Sequence, residues 1–149
     1  MKHKANVLFF STGDATRSRM AAALLHKMTD ELEPASTAVK SVAADDLGKE
    51  VMNEIGVDLS SQPAKPVKQQ FKEYFAVVVT LSDDSKERSP VWPFTRNLLH
   101  WNLPDPTVMD GSVEQKREAF RKLRDEIRNR TRELVEVVEP VVKRRAHAA

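Results

Sequence analysis

The spacing of apolar positions changes several times along the chain, and each change predicts an element. Val7 to Phe10 is a short, continuous apolar run, the pattern of a strand covered on both faces. Behind it Ala21, Leu24, Leu25, Met28 and Leu32 recur at helical spacing, with Pro34 as the expected stop. Thr37 to Ala43, with Val39 and Val42, reads as a second strand. Asp45 or Asp46 is placed to cap a helix that carries Leu47, Val51, Met52 and Ile55 and stops at Gly56. Ser60 to Pro66 reads as loop, and Val67, Phe71 and Tyr74 suggest a short helix. Phe75 to Leu81, FAVVVTL, predicts a central strand, being apolar, continuous and β-branched.

Residues 82–97 are polar and contain proline, so a loop with a turn of helix is expected. Leu98 to Trp101 is a short strand, and NLPDPT is the irregular loop behind it. Ser112 and Gln115 form a capping box. From there Val113, Phe120, Leu123, Ile127, Leu134, Val138 and Val141 mark one face of a long helix, which Pro140 is expected to kink or end, with a frayed tail behind. Strands alternating with helices predict an α/β fold: a small four-stranded parallel sheet with helices on both faces. One domain over residues 1–149 is expected, with residues 135–149 as helix end and tail. Trp92 and Trp101 read as packing residues. In such sheets ligands bind beyond the carboxyl ends of the strands, which singles out the loop joining strand one to helix one.

Composition narrows the partners. The net charge of the 149 residues is +2, with 40% hydrophobic and 31% charged residues, so there is no bulk attraction to nucleic acid. The basic run Lys143-Arg144-Arg145 reads as a solvated tail. No segment approaches the ~20 apolar residues of a membrane span. Met1 to Lys4 is basic, but too little apolar sequence follows for a secretory signal. A soluble cytoplasmic protein is expected. The four histidines and the carboxylates form no ligand pattern for a metal, and nothing calls for a cofactor. Cysteine is absent, which removes disulfides, thiolate metal sites and every mechanism that uses a thiol of this chain.

The loop FFSTGDATRSRM has the makings of an anion site. Gly13 frees the backbone so that successive N–H groups can converge. The following helix adds its positive end. Arg17 offers a bidentate fork, and Thr12, Thr16 and Ser18 offer hydroxyls. A tetrahedral oxyanion such as phosphate, arsenate or sulfate suits this set. An ordinary β–α turn with a capping threonine suits it too, and spacing alone leaves both open.

The stretch VLFFSTGDATRSRMAAALL resembles the signature of the low-molecular-weight protein tyrosine phosphatases and the thioredoxin-coupled arsenate reductases: a strand, Cys-x5-Arg-Ser, then a helix. VVVTLSDDSKERSP, HWNLPDP and REAFRKLRDEIRNR resemble, in order, the redox segment, the aspartate loop and the final helix of the arsenate reductase branch. The resemblance implies an oxyanion loop over Ser11, Thr12, Gly13, Asp14, Ala15, Thr16, Arg17 and Ser18. It implies catalytic positions at Ser11, Arg17 and Asp105, with Asp105 as the general acid. Ser11 stands where the family has its nucleophilic cysteine. Ser82 and Ser89 stand at the two cysteines that relay oxidation, and Asp14 replaces an asparagine.

The reductase relay needs three thiols, and this chain has none. An anion loop lowers a thiol from ~8.5 by several units. A serine hydroxyl starts higher and stays protonated in the same field, so it needs a base or a metal. His100 is the histidine that folding could bring near Ser11, and Asp105 is a poor match as base. The expectation is a thiol-free relative that binds a phosphate-like oxyanion or a phosphorylated ligand with little or no turnover. Two competing readings are a serine-dependent or residual phosphatase, and an interaction or dimerisation module with a vestigial loop. A homodimer is left open. Serines at three cysteine positions also match an isosteric replacement made by design, but the changes at Asp14 and Thr16 speak against that origin.

Overall fold

The computed structural model describes residues 5–70, 73–87 and 97–148, with the backbone alone at 145–148. Four strands, β1 (Ala5–Ser11), β2 (Leu32–Ala38), β3 (Val77–Ser82) and β4 (Leu98–Asn102), form one sheet in the order β2-β1-β3-β4, every pair parallel. Helices α1 (Thr16–Met28), α2 (Asp46–Asn53), α3 (Val67–Gln70) and α4 (Val113–Ala148) connect and cover them. This is the α/β architecture that the alternating pattern predicts.

Alternate residues of each strand feed the two faces. Val7, Phe9, Val77, Val79, Leu81 and Trp101 point into the larger core, with Met20, Leu24, Met52, Phe120, Leu123 and Ile127 from α1, α2 and α4. Leu8, Phe10 and Val78 point the other way, to a smaller cluster with Phe75 and, at its margin, Val67 of α3. Trp101 packs its ring 5.8 Å from that of Phe9, a core contact.

Three expectations need correction. Leu32 opens β2 and does not continue α1, which ends at Met28 because Thr29 is already extended (φ −152°, ψ 148°). Leu32 continues the helical spacing from Met28 by coincidence. Pro34 sits inside β2, which is an edge strand, where a residue without an N–H is tolerated. The strand expected over Thr37 to Ala43 therefore lies five residues earlier at its start. Val39 and Val42 fall beyond it, 57% and 41% exposed. Of the two outcomes expected at Pro140, a kink or an end, the end is the one corrected, since α4 runs on to Ala148.

The caps behave as read. Asp45 accepts the N–H of Leu47 at 2.9 Å, Gly56 turns the chain after α2 at φ +74°, and Ser112 and Gln115 close their reciprocal box at 2.8 and 3.1 Å.

The strand order places the site. From β1 the chain goes first to β2 on one side, then crosses to β3 on the other. The crevice between the carboxyl ends of β1 and β3 is where the topology reverses and where such sheets receive ligands. Thr12, the first residue past β1, ties to β3 through its N–H to the Leu81 carbonyl at 3.2 Å. The chain leaving β2 braces the loop from outside. Val39 N–H reaches the Ser11 carbonyl at 3.0 Å, Lys40 N–H the Gly13 carbonyl at 3.1 Å, and Ala15 N–H the Ala43 carbonyl at 3.0 Å.

Candidate anion-binding site

The loop Ser11 to Ser18 is nearly closed to solvent: Ser11, Ala15 and Ser18 are fully buried and Arg17 is 1% exposed. A guanidinium so deep must be matched, and it is. Its Nη1 donates to Glu87 Oε1 at 2.9 Å and to the Leu103 carbonyl at 3.1 Å. Its Nη2 donates to Glu87 Oε2 at 3.1 Å and lies 3.4 Å from Asp105 Oδ2. The Nε is buried and finds no hydrogen-bond partner among the described residues.

Asp105 arrives from the loop after β4 with its carboxylate 5% exposed. Its Oδ1 accepts the Thr107 N–H at 3.0 Å and the Thr107 hydroxyl at 2.6 Å, which fixes Oδ2 toward Arg17. Gly13 lies against both. A Cβ there would stand 2.8 Å from Asp105 Oδ2 and 3.3 Å from Arg17 Nη2, so the cradle has no room for a side chain at its floor.

Few of the expected donors point inward. Of the N–H groups of residues 12–18, that of Thr12 goes to Leu81, that of Ala15 to Ala43, that of Thr16 to Asp14 Oδ1 at 3.0 Å, and that of Ser18 to Ser11 Oγ at 2.9 Å. At most Gly13, Asp14 and Arg17 keep theirs for a ligand. The hydroxyls divide likewise. Thr16 Oγ1 accepts the Asp45 N–H at 2.8 Å and Ser18 Oγ donates to the Ala15 carbonyl at 3.2 Å, both away from the cradle. Thr12 Oγ1 faces it.

Asp14 spends its carboxylate on the first turn of α1. Burial pushes that carboxyl up against the hydrogen bonds from Thr16, and the negative charges of Asp105 and Asp45 push the same way. Ser82 ends β3, fully buried, with its hydroxyl on Asp84 Oδ1 at 3.0 Å. Ser89 lies outside the described residues. His100 is held elsewhere, with Nδ1 2.7 Å from Thr80 Oγ1 and Nε2 2.8 Å from Asp84 Oδ1. Among the described residues, no three His, Asp or Glu are grouped to hold a metal.

Glu87 is the residue that pattern reading passes over. It sits in the polar stretch after β3, and its carboxylate is the partner of Arg17. A faint local signal exists. Asp83 opens a tight turn, and Glu87 reaches back four residues to accept the Asp83 N–H at 2.8 Å, much as in a capping box. Spacing can suggest that turn but not the arginine seventy residues away.

The profile of the low molecular weight phosphotyrosine protein phosphatase family matches residues 6–145, and the chain belongs to this family. Its relatives include arsenate reductases. That of Halalkalibacterium halodurans is 30% identical over 135 residues, 90% of this chain and 97% of the relative. That of Bacillus subtilis is 30% identical over 131 residues, 87% and 94% of the two chains. Among solved structures, an arsenate reductase in the phosphate binding state aligns with a TM-score of 0.73 at 23% identity, covering 89% of this chain and 97% of the other. A tyrosine phosphatase of Erwinia amylovora aligns with a TM-score of 0.68 at 18% identity, covering 90% and 93%. At these identities the structural likeness concerns the fold. No described helix is long and apolar enough to cross a membrane.

Proposed function

We propose that this chain is a thiol-free member of its family that binds a phosphate-like oxyanion, free or on a phosphorylated ligand, at Ser11 to Ser18, with little or no turnover. The observation that carries the reading is the Arg17 guanidinium. It is buried beneath the loop, it already clasps an anionic group across both Nη atoms, and its Nε has no partner among the described residues. A tetrahedral oxyanion offers enough oxygens for both edges of this fork.

The same geometry argues against catalysis. Ser11 Oγ is fully buried and accepts the Ser18 N–H, and His100 is engaged by Thr80 and Asp84. Among the described residues no hydrogen bond runs from the Ser11 hydroxyl to a base that could take its proton. With no cysteine in the chain, the thiol relay of the reductases has no atoms to run on.

The interaction-module reading draws on the same Arg17–Glu87 contact, taken as permanent. Calorimetry with inorganic phosphate separates the two. Binding by the wild type, weakened by roughly 2–3 kcal/mol in Arg17→Ala, is expected. Equal affinity in the two proteins would remove the site. Hydrolysis of p-nitrophenyl phosphate should stay at background. Turnover that disappears in Ser11→Ala would instead favour the serine-dependent phosphatase.

A further inference from the structure

The cradle contains an anionic group supplied by the chain itself. Glu87 Oε1 receives Arg17 Nη1 at 2.9 Å and the Asp83 N–H at 2.8 Å, while Oε2 receives Arg17 Nη2 at 3.1 Å and the Thr12 hydroxyl at 2.5 Å. Four donors surround two oxygens, a complete set for a carboxylate. We propose that Glu87 is a built-in competing ligand: its carboxylate fills the oxyanion place on Arg17, and an external anion binds there only by displacing it. This rests on the oxyanion reading of the loop and adds the regulation of that site.

The members of the cradle differ in their freedom to move. Arg17 and Asp105 have side chains only 1% and 5% exposed, whereas that of Glu87 is 17% exposed. Glu87 therefore stands at the mouth, and rotation of its side chain carries the carboxylate into water without burying a charge. Its departure releases one donor contact from each Nη atom and the Thr12 O–H together, while Nη1 keeps the Leu103 carbonyl and Nη2 keeps Asp105.

Charge makes the event an exchange. With Glu87 in place, the Arg17 guanidinium faces the carboxylates of Glu87 and Asp105, and Asp14 lies in the same loop. A further anion added beside them meets like charges in a poorly solvated site, which disfavours joint occupancy.

The test compares wild type, Glu87→Ala and Glu87→Gln. Glu87→Ala opens a carboxylate-sized space, and Glu87→Gln keeps the shape without the charge, so one of them serves if the other folds poorly. Inorganic phosphate and formate are titrated by calorimetry, while nitrogen-15 NMR follows rotation of the Arg17 guanidinium. In wild type the guanidinium signals are expected to be pinned. In Glu87→Ala they become averaged and are restored by either anion, and phosphate binds about tenfold tighter or more than to wild type. Where phosphate binding is measurable, an affinity in both variants equal to or below that of wild type overturns the proposal. If no protein binds phosphate, the oxyanion reading fails, and formate decides the competing role. Formate taken up by Glu87→Ala but not by wild type upholds it, and formate taken up by neither overturns it.

Discussion

Arg17 meets Glu87 inside the molecule, while Arg121 and Arg124 meet Glu54 on its rim. The contacts are alike in length: 2.9 Å for Arg17 to Glu87, 2.7 Å for Arg121 to Glu54 and 2.8 Å for Arg124 to Glu54. The surroundings differ. Arg17 is 1% exposed, whereas Arg121 and Glu54 each keep about a third of their side chains in water, at 35%. The rim pairs, with Arg117 on Glu50, tie α4 to α2. They show that the charged face of α4 is in part a seam between helices. Exposed pairs of this kind contribute little, because water and salt already satisfy both partners. In the interior the same chemistry takes on another task, since a buried guanidinium needs an anion to offset its desolvation.

The sharpest way to break the comparison is to remove one partner in the interior. Arg17→Met keeps most of the stem and deletes the charge. It leaves the Glu87 and Asp105 carboxylates facing each other without a cation, and a loss of about 3–5 kcal/mol is expected. Denaturant unfolding measures it. Adding Glu87→Gln should restore part of the loss, and the double-mutant cycle reads the coupling between the two side chains. A loss below about 1 kcal/mol in Arg17→Met would mean that the interior pair behaves like a rim pair.

Much of this arrangement is legible in the sequence, because local rules govern it. The apolar runs place β1 and β3, the caps at Asp45 and Ser112 place the starts of α2 and α4, and the order of elements puts the loop at the switch point. Two kinds of information escape. One is competition between patterns: Leu32 satisfies a helical period and a strand position equally well, and only pairing with Ala5 of β1 decides. The other is long-range pairing. Glu87 looks like any solvated acid of a polar loop until β3 and β1 lie side by side and bring it over Arg17. The same distance in sequence hides Glu54, at the end of α2, as the partner of Arg121 and Arg124.

A second prediction concerns the floor of the interior site. Gly13→Ala places a methyl group 2.8 Å from Asp105 Oδ2, and that oxygen cannot simply swing away while Thr107 holds its neighbour at 3.0 and 2.6 Å. A loss of about 1–3 kcal/mol in stability is expected from overpacking. Phosphate binding should fall with it, since the methyl group also crowds Arg17 Nη2 at 3.3 Å. Unchanged stability and phosphate affinity would show that the cradle is looser than its distances imply.

The smallest effects are expected at the rim, and acid together with salt resolves them. Glu54 is held down to about 2, from an ordinary 4.5, chiefly by its hydrogen bonds from Arg121, with Arg124 assisting against desolvation. Glu87 is also held at about 2. There burial pushes the carboxyl up, and the donors of Arg17, Thr12 and the Asp83 N–H outweigh it. Both carboxyls bind protons less readily folded than unfolded. Each therefore contributes stability that is present above about pH 4.5 and is lost as the pH falls toward 2. Acid alone does not distinguish them, but salt does. At 1 M salt the screening length is about 3 Å, and exposed pairs lose most of their attraction while buried ones keep theirs. Denaturation of Glu54→Gln and Glu87→Gln, each against wild type, at pH 7 in low and high salt, makes the comparison. The Glu54 difference should be the smaller of the two at low salt and should vanish in 1 M salt, whereas the Glu87 difference should persist. A Glu54 difference that survives high salt would mean that the α2–α4 seam excludes water as the cradle does, and the contrast between rim and interior would then rest on the ligand role of Glu87 alone.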